Sequence, residues 1–289
     1  MTNPRTYYRP SILAEAIERA AHPGSIALAG GALALSGLHS PYDTVVDLQD
    51  LSDLRRIEHD DTGLHIGGIN TLQEVVESPL IADKLKQAIT RMMPLNIRNG
   101  ATVGESLIVK QPPYEWLAVL VALDAYVEHA GHLAEIEKST LWEQTLEEFV
   151  PFLHLHGHPY QGIITQVRIP PMGRHTAIGS AVVSRTPTDI PIVNAAVRVT
   201  LDHAGMVKNA IAAFGGVSDS PVLSVELVPL LGHPIHESNF QHAVEIVDSQ
   251  IYPITDYQGS NDYRRQMASV CVRRALEECA VQFNLGQFL

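Results

Sequence analysis

The chain has 289 residues, 45% hydrophobic and 18% charged, the balance of a globular protein with a real core. A net charge of −12 excludes nucleic acid and anionic membrane surfaces as expected partners. The two cysteines, Cys271 and Cys279, are too few for an iron–sulfur or zinc site. Eight residues of helical pattern, roughly 12 Å, put them beyond disulfide reach, so they read as buried thiols of a reducing compartment.

In chain order, Ser11 is expected to cap a first helix carrying Ile12, Leu13, Ala16, Ile17 and Ala20 at helical spacing, which Pro23-Gly24 stops. Short strands follow at Ile26–Ala29 and Thr44–Leu48, giving a small α/β unit of residues 1 to about 55. A second unit, to about 172, opens with a strand at Leu64–Gly68 behind the turn Asp61-Thr62-Gly63. Thr71 and Glu74 stand at capping-box spacing, and 81–92 is amphipathic and helical. The longest apolar run, Trp116 to Val127, contains Asp124 and is too short to cross a bilayer; with no secretory signal legible, the expected location is cytoplasmic. Strands are expected at 125–129 and 132–138, joined by Ala130-Gly131, then a helix at 141–149 and a strand at 162–169 ended by Pro170-Pro171. Beyond about 173, strands at 177–184, 195–201 and 206–214, the last two joined by a turn at 202–205, predict a three-stranded antiparallel sheet. Helices at 237–251 and 260–283 should cover one of its faces, so the fold class is α+β.

Two glycine turns organise this pattern: Leu28-Ala29-Gly30-Gly31-Ala32 and Asn99-Gly100-Ala101-Thr102-Val103-Gly104. Small residues let a phosphate-bearing ligand reach backbone N–H groups, and two such turns could close on one diphosphate from two sides. Neither Gly-x-Gly-x-x-Gly nor a Walker loop, zincin helix or Gly-x-Ser-x-Gly elbow occurs. His154, His156 and His158 alternate, but Gly157 and Pro159 make the segment loop-like and no Cys or carboxylate stands beside it, so no metal site is assigned. Arg185 and Asp189 are expected to pair as a structural clamp, and Gly215-Gly216 reads as a turn at a strand end.

With Tyr8-Arg9-Pro10-Ser11, Val45-Val46-Asp47-Leu48, Ala122-Leu123-Asp124-Ala125, Arg185-Thr186-Pro187, Phe214-Gly215-Gly216-Val217 and Tyr263-Arg264-Arg265 in the same order, the chain resembles the flavoprotein (medium) subunits of molybdenum hydroxylases. These include the carbon monoxide dehydrogenase medium chain and the flavin domain of xanthine dehydrogenase. The resemblance implies a two-lobed FAD-binding domain over 1–172 and a C-terminal flavoprotein domain over 173–289. It implies an oxidoreductase subunit that holds FAD and passes electrons from a 2Fe-2S small subunit to an external acceptor. A molybdenum-cofactor large subunit would oxidise the substrate. Carried over by residue, Ala29, Gly30 and Gly31 would offer amides to the diphosphate from one side and Thr102, Val103 and Gly104 from the other. Leu28, Ala32, Leu33, Ala101 and Ser106 would flank them, Ile164 would pack near the flavin, and Glu115 stands where an aspartate approaches the ribose or flavin. No side chain is implied as catalytic.

The departures from the family pattern cluster at these turns. Ala32-Leu33 replaces Thr-Asp, Glu105-Ser106 replaces Gly-Asn, and Ile108-Val109-Lys110-Gln111-Pro112 replaces a small polar segment; Val182 stands in place of a lysine. A Glu105 carboxylate aimed at a diphosphate would repel it, Lys110 could restore positive charge, and a Glu105 turned outward would leave the amides in use. Two alternatives stay open: a flavin-free scaffold subunit, and a free-standing small-molecule binding protein that reuses the cleft.

Overall fold

The computed structural model describes residues 4–33, 42–109, 112, 114–133, 136–156, 160–186 and 189–285. The chain divides into two compact units: 1–81 with 93–112 and 125–170, and 82–92 with 113–124 and 171–289.

The first unit begins with β1 (Thr6–Tyr8), α1 (Leu13–Ala20), β2 (Ser25–Leu28) and β3 (Thr44–Asp47). β1, three residues long and without alternation, has no sequence signal; it lies parallel to β3, which is central in the order β1-β3-β2. The cap of α1 is Ile12, not the expected Ser11, and it makes no side-chain capping bond. The helix starts one residue later than the sequence suggests, so the serine hydroxyl stands outside the capping position. Ala16, Ile17 and Ala20 of α1 pack with Val46, Leu48, Leu54 and Ile69 in the core of this unit.

β4 (Ile57–Asp60), β5 (Gly63–Gly67) and α2 (Leu72–Glu77) follow. The capping box forms as expected: Glu74 N–H donates to Thr71 Oγ1 (3.1 Å) and Thr71 N–H to Glu74 Oε2 (2.7 Å). The chain then passes through α3 (Asp83–Met92), α4 (Leu95–Arg98), α5 (Val103–Ile108) and α6 (Tyr114–Ala122) before β6 (Tyr126–Leu133), β7 (Ile136–Thr145), α7 (Leu146–His156) and β8 (Gln161–Ile169). A five-stranded antiparallel sheet has the order β4-β5-β8-β6-β7.

Two expectations fail in this hairpin. Ala130-Gly131 is not its turn; both residues lie inside β6, where the register shifts between His129 and Gly131. Gly131 has φ +150° and a Cβ there would meet Gln161 O at 2.2 Å, so the glycine marks a bulge within a continuous strand. The helix expected over 141–149 begins only at Leu146. Strand pairing overrides the helical spacing, because Trp142 lies opposite His129, with ring centroids 4.5 Å apart.

The second unit is built on β9 (Thr176–Val183), β10 (Val193–Leu201), β11 (Val207–Gly215), β12 (Leu223–Glu226), α8 (Glu237–Gln250) and α9 (Asn261–Leu285). Its sheet has four antiparallel strands in the order β12-β11-β10-β9, not the expected three; β12 is a four-residue strand after a serine-rich turn. The turn at 202–205 forms, with the Asp202 carboxylate accepting from Ala204 and Met206 N–H at 2.8 and 2.9 Å. Helices cover both faces rather than one. Val193 to Val197 of β10 are all buried, without alternation. The side chains of Val193, Ala195 and Val197 share a core with those of α8 and α9. On the other face the Asn194 amide donates to Tyr114 O at the start of α6 (3.4 Å). α6 is apolar all round except for Glu115 and buried from that residue to its end, so it needs neighbours on every side, and α3 and the sheet supply them.

Arg264 pins the start of α9. It is 3% exposed and donates to Ile192 O, to Gly216 O (3.1 Å) and to both oxygens of Asp256 (2.7 and 2.8 Å). Replacing it by Ala takes the guanidinium from two carbonyls and leaves the Asp256 carboxylate, still bonded to the Gln258 and Gly259 N–H groups, without its countercharge, so Arg264→Ala should lower stability by about 3 kcal/mol in urea titration. Lys, lacking the planar fork, should recover only part of the loss.

Candidate functional site

The two glycine turns meet inside the first unit. β2 delivers Ala29 to Leu33, and α4 ends just before Gly100. A Cβ on Gly30 would lie 1.9 Å from Gly100 O, so only glycine permits this approach, and Ala32 N–H points at the same carbonyl (3.4 Å). Ala101 is fully buried and its carbonyl accepts from Leu72 N–H (2.8 Å). Thr102 is the cap of α5.

The amides expected to face a diphosphate are used differently. Val103 N–H donates to Asn70 O (2.9 Å) and Gly104 N–H to Gly68 O (2.8 Å), so neither points to a ligand. Thr102 N–H donates to Glu105 Oε2 (3.3 Å), and Leu33 N–H donates to Glu105 Oε1 (3.1 Å). Glu105 completes a capping box and also reaches the other turn, 72 residues away in sequence. It is 7% exposed, so it neither turns outward nor stands bare: it is the anion that the turns hold. The Ser106 hydroxyl, fully buried, donates to Val103 O (2.7 Å) and does not face outward either.

Among the described residues, the amides of Gly30 and Gly31 make no hydrogen bond, and Gly31 has φ +85°. A cavity of about 30 Å³ adjoins the turns, lined by Leu28, Ala29, Thr102, Gly104, Glu105 and Ile164 among others. It has room for little more than a water. Ile164, on β8, is 5% exposed and lines the same cavity. The first turn therefore fits an anionic group through its free amides, while Glu105 takes the amides of Leu33 and Thr102. Lys110 lies outside the described residues.

Residues 2–172 match the family model of the FAD binding domain in molybdopterin dehydrogenase, and residues 181–279 that of the CO dehydrogenase flavoprotein C-terminal domain. The chain belongs to the FAD-binding medium-subunit family of molybdenum hydroxylases. It is 26% identical to the carbon monoxide dehydrogenase medium chain of Afipia carboxidovorans, over 94% of this chain and 95% of that one. With the glyceraldehyde dehydrogenase medium chain of Sulfolobus acidocaldarius it shares 23% identity, covering 82% and 83% of the two chains. Carbon monoxide dehydrogenase from Hydrogenophaga pseudoflava has the same fold, with a TM-score of 0.82 at 19% identity over 98% of this chain and 99% of that one. FAD is the cofactor of this family.

Glu115 is the residue that the resemblance sets near the ribose or flavin. It is fully buried in the second unit, where its Oε1 accepts from Arg91 (2.7 Å) and from the Ser180 hydroxyl (3.2 Å). Its Oε2 is buried and has no hydrogen-bond partner among the described residues. Burial pushes its carboxyl up to about 7, although Arg91, Ser180 and Lys84 pull the other way. Lys84 in turn pairs with Glu278, which accepts from Ser180 N–H (2.8 Å). Sequence reasoning could not find Arg91 or Ser180, since α3 and β9 meet α6 only in the fold.

Other assignments also resolve. Arg185 does not pair with Asp189; it donates to Tyr257 O (2.6 Å). His154 and His156 lie in α7, not in a loop, and His158 lies outside the described residues. Val182 sits in β9. Gly216 follows the end of β11 with φ +79°. Cys271 and Cys279 are buried free thiols, and burial raises both, Cys271 to about 12.

Glu115 links stability to pH. Its folded pKa lies above the ordinary value of 4.5, so the folded state keeps a proton that the unfolded state releases as pH rises between about 4.5 and 7. Stability should therefore fall across that window, by up to about 3 kcal/mol, and level off above it. Urea titrations of wild type and Glu115→Gln from pH 4 to 8 should differ by this slope, the variant being flatter.

Proposed function

We propose that this chain is the FAD-holding electron-transfer subunit of a molybdenum hydroxylase. It would receive electrons from a 2Fe-2S subunit and pass them to an external acceptor, while a molybdenum-cofactor subunit oxidises the substrate. The observation that carries this reading is the meeting of the two glycine turns beside Ile164, in a stretch matching the family's FAD-binding domain. The dehydrogenase medium chains of Afipia and Sulfolobus, matched over most of their length, support it. On the same ground we assign 1–172 as the FAD-binding domain, in lobes of about 1–55 and 56–172, and 173–289 as the C-terminal flavoprotein domain.

When bound, FAD supplies the redox chemistry. The chain's own residues bind and orient. Gly30 and Gly31 offer their amides to the diphosphate, and Leu28 and Ala29 form the wall next to them. Ala32, Leu33, Ala101, Thr102, Val103, Gly104 and Ser106 shape the turns around it, and Ile164 presents an apolar surface that keeps water from the ligand. No residue needs to act as a general acid or base. Among the described residues no helix is long and apolar enough to cross a membrane. Buried free thiols at Cys271 and Cys279 favour a reducing, cytoplasmic setting.

The chain purified with its partners should carry FAD near one per chain, released into the supernatant on denaturation and read by its visible absorbance. Molybdenum and iron should co-purify. A complex whose denatured supernatant shows no flavin absorbance, even after the complex has been incubated with FAD, would leave the flavin-free scaffold as the reading.

A further inference from the structure

We propose that Glu105 is an internal competitor of the flavin diphosphate, so that FAD binds this chain only by displacing the Glu105 carboxylate from the two turns. The inference rests on the proposed FAD site and deepens it. A carboxylate and a phosphate offer the same thing to a backbone amide: a charged oxygen that accepts a short hydrogen bond. Leu33 and Thr102 N–H groups already give that bond to Glu105, at 3.1 and 3.3 Å. One amide hydrogen does not serve two anions at full strength.

Position and space point the same way. Glu105 is 7% exposed and touches both turns at once, one from each end of its carboxylate. It also lines the cavity of about 30 Å³ beside them, which is too small for a diphosphate while the side chain is there. A diphosphate seated on the free amides of Gly30 and Gly31 would lie against a second negative charge in a poorly solvated site, where repulsion is felt strongly. Swinging the carboxylate away frees two more amides and relieves that repulsion in one movement. Binding is then an exchange of one anion for another, and its strength depends on what stands at position 105.

The test is FAD affinity of the full-length chain, stripped of flavin and titrated with FAD by flavin fluorescence. Wild type is compared with Glu105→Gln and Glu105→Gly. Glutamine keeps the length and suits the third position of a capping box, so the turn survives while the charge is lost. Glycine removes the competitor altogether. Thermal melts establish that each variant is folded before it is titrated. Glu105→Gly should bind FAD at least about tenfold more tightly than wild type, with Glu105→Gln between them. ADP, a diphosphate without the flavin ring, should show the same order in thermal shift.

If wild type and both variants bind FAD with equal affinity, the competitor role is overturned and the FAD site stands. Tighter binding by wild type than by Glu105→Gln would also overturn it, since the carboxylate would then be helping. Failure of all three to bind either FAD or ADP would remove the flavin reading itself, and the competitor role with it.

Discussion

The first unit depends on one close approach: the backbone of Gly30 against the carbonyl of Gly100. No side chain fits between them, so two segments seventy residues apart share one surface of amides and carbonyls. Buried backbone groups must find partners. Here the partners come from three sources: carbonyls of neighbouring segments for Val103 and Gly104, a carbonyl across the contact for Ala32, and a side-chain carboxylate for Leu33 and Thr102. The last of these gives the turns their chemistry. A site that holds a carboxylate by its amides is a site for an anion.

The second unit solves a different problem. α6 has no polar face to give to solvent, so α3 and one face of the four-stranded sheet close around it, while α8 and α9 cover the other face. A carboxylate, Glu115, is caught in that closure. Arg91, Ser180, Lys84 and Glu278 surround it, yet desolvation still dominates its titration. Arg264 performs the matching task at the start of α9, where one guanidinium satisfies two carbonyls and Asp256. Both clusters use charge inside apolar surroundings to fix how segments meet, and in both the loss of one partner would strand the others.

Much of this was legible from the sequence. Capping at Thr71, the turn at Asp202, the long helices α8 and α9 and the two glycine turns all carry local signals strong enough to read. The misreadings share a cause, which is that a long-range partner overruled a local pattern. Trp142 looks helical by spacing but pairs across to His129. Gly131 looks like a turn but sits in a bulge. β12 is too short to announce itself. At the site, the identity of the flanking residues was readable, but the direction of one side chain was not. Glu105 was expected either to face a ligand or to turn away; it does neither, because Leu33 N–H offers it a bond that no spacing rule reveals.

The most direct measurement is a pair of crystal structures of the full-length chain, grown without and with FAD, read at Glu105. The account predicts that without FAD the carboxylate accepts from Leu33 and Thr102 N–H, and that with FAD it has swung off those amides and phosphate oxygens stand in its place. A Glu105 carboxylate still bonded to both amides in the FAD structure, with the diphosphate bound elsewhere, would contradict it.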